Sequence, residues 1–292
     1  MKYKTIFFIF SLFFLIPSAY FLINHGLKPA LDFTGGTILE ISIKPKNDQA
    51  ITSDSLERVI KDTVNLNHIQ QIDDFTFLIK AQQFSQKTNQ ALKQDIENEL
   101  GQLQEKRFET VGPTMGKELI KKTLISVLIA AGFIMIFVTS RFKDKKYGIC
   151  AILAMLHDTF IIIGVFSYLG VTKGIEVDAL FVTALLTILS FSVHDTIVVY
   201  DRIREAGKLF PKLSYTDLVN KAVTETLGRS INNSLTIIFM LLALYLLGGE
   251  TTKWFVFALL IGTISGTYSS TFTAAPLLVL WEDRGRSLHS VK

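Results

Sequence analysis

The chain of 292 residues contains six long apolar segments, and these limit its possible folds more than any other feature. A helix of about 20 residues crosses the roughly 30 Å hydrocarbon layer of a bilayer. Hydrophobic residues make up 49% of the chain and charged residues 19%. Because a backbone in lipid must satisfy its own polar groups, apolar runs of this length predict membrane-spanning helices. The predicted spans are 5–24, 119–139, 147–169, 177–200, 230–248 and 253–280.

The first apolar segment follows the basic sequence Met1-Lys2-Tyr3-Lys4, as a signal peptide would. Its apolar stretch, however, is about twice the usual length of a signal-peptide core. Pro17-Ser18-Ala19-Tyr20 also offers no pair of small residues for cleavage. Residues 1–24 are therefore expected to stay as an uncleaved membrane anchor.

The basic residues predict the orientation of the spans. The amino terminus, the 140–146 loop, the 201–229 loop and the tail after Trp281 hold 2, 4, 6 and 3 lysines and arginines, whereas the loops near 170–177 and 248–253 hold one each. Loops rich in Lys and Arg stay in the cytoplasm. Both termini are therefore predicted to be cytoplasmic, with a five-helix bundle over 119–282 and a short tail over 283–292.

Residues 25–118 then form one aqueous domain outside the cytoplasm. Residues 37–43 alternate apolar and polar side chains, which is typical of a half-buried strand. Helical and strand patterns follow in the order β-α-β-β-α-β, with strands at 37–43, 69–72, 75–79 and 106–111 and helices from Ser53 and over 85–103. This order predicts a small ferredoxin-like α+β domain. The predicted fold class is thus an all-α bundle of six membrane helices carrying that domain.

Several function classes find no support in the sequence. Cys150 is the single cysteine, so no intrachain disulfide can form. The net charge of +4 resides in short loops beside apolar spans, which favours membrane topology over nucleic-acid binding. Residues 112–118 resemble a phosphate-binding loop but are one residue short and lack Ser or Thr after Lys117. No metal-ligand spacing or hydrolase motif occurs, so no enzyme, cofactor or metal site is predicted.

Charged residues inside the spans are the strongest functional signal. An ionised aspartate at the bilayer centre costs roughly 2.5 to 3.5 kcal/mol, so Asp195 is expected to face the bundle interior. Asp195 lies six residues, or roughly 9 Å of helix rise, before Asp201. Arg229, Asn232 and Asn233 share one stripe of the next span. The sequence therefore predicts an ion pair between Asp195 and Arg229 at matching depth.

A His-Asp-Thr triplet occurs in two neighbouring spans, as His157-Asp158-Thr159 and as His194-Asp195-Thr196. Proton pathways in membranes use such Asp and His residues. The alternative is that His157, Asp158 and His194 only join helices by hydrogen bonds. We also expect close helix contact along a small-residue face formed by Gly262, Ser265, Gly266, Ser269, Ser270 and Thr271.

Three motifs together resemble the SecD/SecF family of bacterial protein-export membrane proteins, which is part of the RND-type superfamily. Asp32-Phe33-Thr34-Gly35-Gly36 follows the first span, Asp201-Arg202-Ile203-Arg204-Glu205 ends the fourth after Asp195, and residues 228–234 open the fifth. The similarity covers the whole chain. The chain departs from the family pattern at Ala30, where the family often has glycine.

The resemblance implies a function that the residues alone do not reveal. A family member of this size works with SecD in the bacterial inner membrane and uses the proton motive force to help move unfolded preproteins through SecYEG, late in translocation and after SecA has acted. Protons would be the coupling ion, and YajC or YidC further partners. The resemblance places Asp195 and Arg229 in the proton path, residues 32–36 in a signature turn, and Asp201, Arg202, Arg204 and Glu205 in a cytoplasmic motif.

Two other classes of function stay open on the sequence. One is an exporter of small molecules or lipids from the same superfamily, which would need a large apolar cleft in the aqueous domain. The other is a scaffold that holds SecD without transporting protons. In a scaffold, substitution of Asp195 would lower the abundance of the complex rather than its turnover.

Overall fold

A computed structural model describes residues 4–46 and 51–289, without the side chains at 113, 250 and 285–289. Residues 1–3 of the predicted anchor and 290–292 of the predicted tail lie outside the described residues. Two compact units are present. One consists of residues 29–123, and the other combines residues 4–28 with residues 124–289.

The described helices and strands follow one another along the chain as listed next. They are α1 (Lys4–His25), α2 (Leu31–Thr34), β1 (Gly36–Pro45), α3 (Ser53–Ile60), β2 (Leu66–Asp73), β3 (Thr76–Ala81), α4 (Gln86–Glu99), β4 (Gly101–Val111), α5 (Pro113–Phe142), α6 (Lys145–Lys173), α7 (Ala179–Leu209), α8 (Tyr215–Leu247), α9 (Glu250–Ser269), a π-helical turn (Ser270–Ala274) and α10 (Ala275–His289). Six helical stretches are long and apolar enough to cross a membrane, as predicted. The sixth span is continuous from α9 through the π turn into α10.

The prediction of a loop over residues 201–229 is wrong. Helix α7 continues to Leu209, and α8 already begins at Tyr215 after its cap residue Ser214. Hydropathy marks only the apolar part of a helix, whereas the polar extensions are held by ion pairs. Arg202, for example, pairs with Glu225 across the two helices at 2.5 Å.

Burial divides the spans into two groups. About half of the residues in α6, α7 and the sixth span are buried, against fewer than a fifth in α1, α5 and α8. The three buried spans therefore form the centre of the bundle. The outer three present most of their apolar surface outward, as expected of helices that face lipid or another membrane protein.

Glycines allow the central helices to approach closely. A Cβ atom added at Gly262 would overlap the Ile188 side chain of α7, and one added at Gly266 would lie 3.3 Å from the Ser192 Cβ. Gly164 of α6 meets Ser18 of α1 in the same way. The predicted small-residue face of the sixth span is confirmed as a packing surface.

The soluble unit contains a four-stranded antiparallel sheet in the order β2-β3-β1-β4, with α3 and α4 between strands along the chain. The predicted alternation in β1 is confirmed, because Leu39, Ile41 and Ile43 are fully buried. They pack with apolar residues of β3 and the two helices. The segment also contains the short helix α2, which the sequence did not predict.

The turn at residues 32–36 packs tightly against its neighbours. Phe33 is buried, and Gly36 has a φ of 138°, a conformation that favours glycine. A Cβ at Gly36 would lie 2.7 Å from the Ala81 carbonyl oxygen. At the start of α5, Gly116 lies directly against the Phe33 carbonyl group, where no side chain fits.

A polar cluster joins α4 to β4. The amide of Asn89, which is fully buried, donates to Glu105 at 2.9 Å, and the Lys93 ammonium approaches the same oxygen at 2.8 Å. The hydrogen bond from Lys93 holds the pKa of Glu105 below its usual range, although partial burial opposes this. Glu105 thus favours the folded domain while it is ionised.

We predict that Glu105→Gln weakens the soluble unit by about 1 kcal/mol, because a charged hydrogen bond is lost at a partly exposed site. Hydrogen exchange of α4 and β4 amides in the detergent-solubilised full chain measures the effect. The folded pKa is lowered, so the contribution exists above the unfolded pKa and is lost as pH falls through the folded value. The difference between wild type and variant should therefore vanish at acid pH. Equal protection at neutral pH would contradict the assignment.

We also predict that Gly116→Ala disturbs the turn at residues 32–36, because the added methyl group overlaps the Phe33 carbonyl. Gly132→Ala, on the same helix with open space around it, is the matched control. Hydrogen exchange around Phe33 should rise in the first variant only. Alanine favours helix over glycine by about 1 kcal/mol, so a stabilised Gly116→Ala protein would refute the close contact.

A pair of buried carboxylates in the bundle

Asp158 of α6 lies in the centre of the bundle and is 1% exposed. Three serine hydroxyls donate to its carboxylate: Ser192 of α7 at 2.6 Å, Ser265 of α9 at 2.7 Å and Ser269 of α9 at 2.6 Å. The Nδ1 atom of His157 lies 3.1 Å from the same group. A carboxylate has about four acceptor positions, so the four neighbours can satisfy Asp158 fully.

Asp195 of α7 is the second buried carboxylate and is 5% exposed. Ser230 of α8 donates to it, and Ser270 of the π turn donates at 2.6 Å. Two protein hydroxyls therefore surround Asp195 where four polar neighbours surround Asp158. Part of its capacity to accept hydrogen bonds is not filled by the protein.

The sixth span connects the two carboxylates through consecutive residues. Ser269 contacts Asp158, and Ser270 contacts Asp195, at the point where α9 becomes the π turn. Ser192, three residues before Asp195 on α7, makes a second connection because it donates to Asp158. A π turn carries an extra residue and is frequent at functional sites. The two acidic groups thus form one hydrogen-bonded cluster.

Serine gives this cluster a useful chemical property. A hydroxyl donates to an ionised carboxylate, and after rotation it accepts from a protonated one. The same side chains can therefore stabilise either protonation state without a change of partners. A carboxylate enclosed in this way can gain and lose a proton inside the membrane at a lower cost than an isolated one.

The predicted ion pair between Asp195 and Arg229 is not formed. The depth was predicted correctly, since Ser230, the residue after Arg229, contacts Asp195. The Arg229 side chain is exposed instead and lines a cavity of about 460 Å³. Successive helical residues point about 100° apart, so Ser230 and Arg229 cannot face Asp195 together.

The cavity beside Arg229 is mostly lined by charged and polar residues. Its wall includes Val198 and Thr226, which lie one helical turn from Asp195 and Ser230 respectively. The remaining lining residues are Asp201, Arg202, Glu205 and Glu225. A polar cavity thus reaches within one turn of the buried carboxylate.

The residues of the predicted cytoplasmic motif form ion pairs within the chain. Arg202 contacts Glu205 and Glu225, each through charged hydrogen bonds. Asp201 contacts Arg141 at 3.2 Å and Arg204 at 3.3 Å. This network joins the ends of α5, α7 and α8.

The other predicted proton-path residues are divided by the structure. His157 is buried beside Asp158, as the relay hypothesis requires. His194, Asn232 and Asn233 are exposed on the outside of the bundle and are not brought to the carboxylates. Their stripe therefore faces away from the cluster.

Sequence reasoning missed the serines as partners of the carboxylates. Ser265, Ser269 and Ser270 were interpreted only as small packing residues, and Ser192 and Ser230 were not assigned. The rule that buried charges need hydrogen-bond donors could have identified them. Ser265 and Ser269 are four residues apart, which places both hydroxyls on one face of α9.

Comparison with known proteins agrees with the motifs. Residues 91–284 match the family model described as protein export membrane protein SecD/SecF, C-terminal, and residues 20–46 match the SecD/SecF GG motif. The protein translocase subunit SecF of Thermobaculum terrenum is 38% identical, over 97% of this chain and 94% of that protein. The protein translocase subunit SecDF of Thermus thermophilus is 35% identical, over 91% of this chain and 36% of that protein.

A solved structure supports the same relationship. The crystal structure of SecDF from Thermus thermophilus, titled as a translocon-associated membrane protein, matches with a TM-score of 0.82 and 32% identity. The match covers 97% of this chain and 39% of that longer chain. These family and structural matches show that the chain belongs to the SecD/SecF family of protein export membrane proteins.

Proposed function

We propose that the chain acts as the SecF subunit of a SecDF complex, which uses the proton motive force to assist preprotein movement through SecYEG late in translocation. The observation that carries this proposal is the serine-lined pair of buried carboxylates in a chain of this family. Protons are the coupling ion, and no other cofactor is required. The bacterial inner membrane is the proposed location, with both termini in the cytoplasm.

The energy available to the carboxylates is sufficient for a conformational switch. One charge that moves through 100 mV gains about 2.3 kcal/mol, which biases two states by several tens-fold. In the proposed cycle, Asp195 is held by Ser230 in one state and by Arg229 in the other. A rotation of α8 by about 100°, or a new Arg229 side-chain conformation, would exchange these partners. Protonation of Asp195 would favour the serine, and ionisation the guanidinium.

The soluble unit is the proposed extracytoplasmic contact for preprotein. Its strand order and fully antiparallel pairing support a ferredoxin-like topology. YajC and YidC are proposed as further partners of the complex.

An outward polar stripe supports SecD as the membrane partner. His194, Asn232 and Asn233 are exposed on membrane spans, and the structure gives their side chains no hydrogen bond among the described residues. Polar groups facing lipid are unfavourable, so such a surface is expected to be covered by protein. SecD fits, because the matched region forms part of longer chains named SecDF in the relatives.

We predict that Asp195→Asn abolishes the gradient-dependent part of preprotein transport and spares the ATP-driven part. Asparagine keeps the shape and can hydrogen-bond to serine, but it cannot exchange a proton. Transport is measured in proteoliposomes with SecD, SecYEG and SecA, with and without a proton gradient. Asp217→Asn, at an exposed carboxylate on α8, is the control and should behave as wild type.

The amount of SecD recovered with each variant separates transport from scaffolding. Normal recovery with lost gradient dependence supports proton coupling by Asp195. If recovery falls while transport per complex is unchanged, the pair is a scaffold. Full gradient-dependent transport by Asp195→Asn would also reject the proposed role.

We predict that the double variant Asn232→Leu/Asn233→Leu lowers recovery of SecD several-fold, since interhelical hydrogen bonds are worth about 0.6 to 2 kcal/mol each. Leucine inserts into membranes better than asparagine, so poor insertion cannot explain a loss. Phe239→Leu/Met240→Leu, at exposed apolar positions of the same helix, is the matched control. Unchanged co-purification of the asparagine variant would place SecD on another surface.

A further inference from the structure

His157 has one ring nitrogen with a partner and one without. The residue is 6% exposed, and its Nδ1 atom contacts Asp158. The Nε2 atom is fully buried and has no hydrogen-bond partner among the described residues. A buried polar atom without a partner is unfavourable, and each one calls for an explanation.

The imidazole lines a cavity of about 380 Å³ between α1, α6 and the sixth span, here called the α1 groove. Apolar side chains form most of its wall, and they include Phe8, Leu12 and Leu15 of α1, Leu153 of α6 and Leu277 of α10. Three polar groups line it as well. Besides His157 these are the hydroxyls of Ser11 and Thr273, which lie 3.1 Å apart in a mutual hydrogen bond.

These three polar groups meet the requirements of a water site. A buried water needs two to four polar partners and a space of about 30 Å³, and the α1 groove exceeds that volume several times over. Nε2 can accept from such a water or donate to it, depending on the tautomer. The apolar walls restrict the approach of further water, which limits uncoupled proton leakage.

We propose that His157 relays protons between water in the α1 groove and Asp158, so that the carboxylate cluster has a second access route. This inference rests on the proposed proton coupling. The first route is the polar cavity beside Arg229, which reaches Asp195 from α7 and α8. The α1 groove reaches Asp158 from the opposite partner, α1. Ser269 and Ser270 connect the two carboxylates between these routes.

The relay step is balanced in protons and charge. Neutral His157 with its proton on Nδ1 donates to ionised Asp158 and presents the Nε2 lone pair to the groove. A hydronium ion in the groove gives a proton to Nε2, which leaves water and an imidazolium. The Nδ1 proton then passes to Asp158, which leaves a neutral imidazole and a neutral carboxylic acid. The reverse sequence releases a proton to the groove.

The surroundings of the imidazole contain few other titratable groups. Asp158 is the acidic neighbour on its own helix. From the sixth span, the Tyr268 ring lies 6.4 Å from the imidazole, and its hydroxyl is engaged with Ser11 and the Phe7 carbonyl. The groups that α1 and α10 contribute to the α1 groove do not titrate. Asp158 is therefore the natural exchange partner of His157.

Replacement of His157 by asparagine tests the relay. Asparagine can still donate one hydrogen bond to Asp158, so a purely structural role would be retained, but it cannot carry a proton. We expect gradient-driven proton uptake by the intact complex with SecD to fall roughly a hundredfold. Uptake is measured with a pH-sensitive dye inside proteoliposomes, and the recovered complex is quantified in parallel. Wild-type uptake by His157→Asn would overturn the relay.

A second variant keeps the test decisive if His157→Asn is not recovered. Leu12→Trp fills the α1 groove from its wall and leaves His157 unchanged, whereas Phe13→Trp places the same bulk on the exposed side of α1. Slow uptake by Leu12→Trp alone supports the route through the groove, and normal uptake by it refutes the route. Asp195→Asn in the same vesicles separates the two proposals. If it blocks uptake while both groove tests are normal, proton coupling survives and the relay fails.

Discussion

The need to satisfy two buried carboxylates determines how the centre of this bundle is built. A charged group in a membrane interior is tolerated only where protein donors replace water. Asp158 obtains such donors from α6, α7 and α9, and Asp195 obtains them from α8 and the π turn. Hydrogen bonds to charged groups are worth about 1.5 to 3 kcal/mol each, so these contacts specify which helices are neighbours. The helix order of the core follows from its acidic residues.

Close packing is the second condition, because a serine hydroxyl reaches only a short distance. Gly262 and Gly266 allow α9 to lie directly against α7, which brings Ser265 and Ser269 to Asp158. Serine and glycine therefore act together, since one supplies the donor and the other removes the bulk that would keep it away. The π turn then redirects the next residue, Ser270, toward Asp195. Larger residues at these glycines would separate the helices and leave the acids without partners.

Periodicity predicted the spans and the order of strands, because hydrophobic patterns depend on the local chain alone. The same patterns missed the polar ends of α7 and α8, which are held by pairs such as Arg202 with Glu225. At the site, the depth of Asp195 opposite the start of α8 was predictable from helix rise. Its partner was not, because a rotation of one residue decides between Arg229 and Ser230, and sequence gives no such angular precision. Serine was overlooked since it is common in membrane helices for packing as well.

The two carboxylates differ in what they connect, and this difference suggests which of them can take part in movement. Asp158 joins only the three buried spans, so its hydrogen bonds hold together a core that is packed on most sides. Asp195 joins that core to α8, a helix with most of its surface exposed. Any displacement of α8 relative to the core must alter the contact between Asp195 and Ser230, whereas the contacts of Asp158 can persist. A proton on Asp195 is therefore sensed where a helix is free to respond, and Asp158 supplies the fixed end of the cluster.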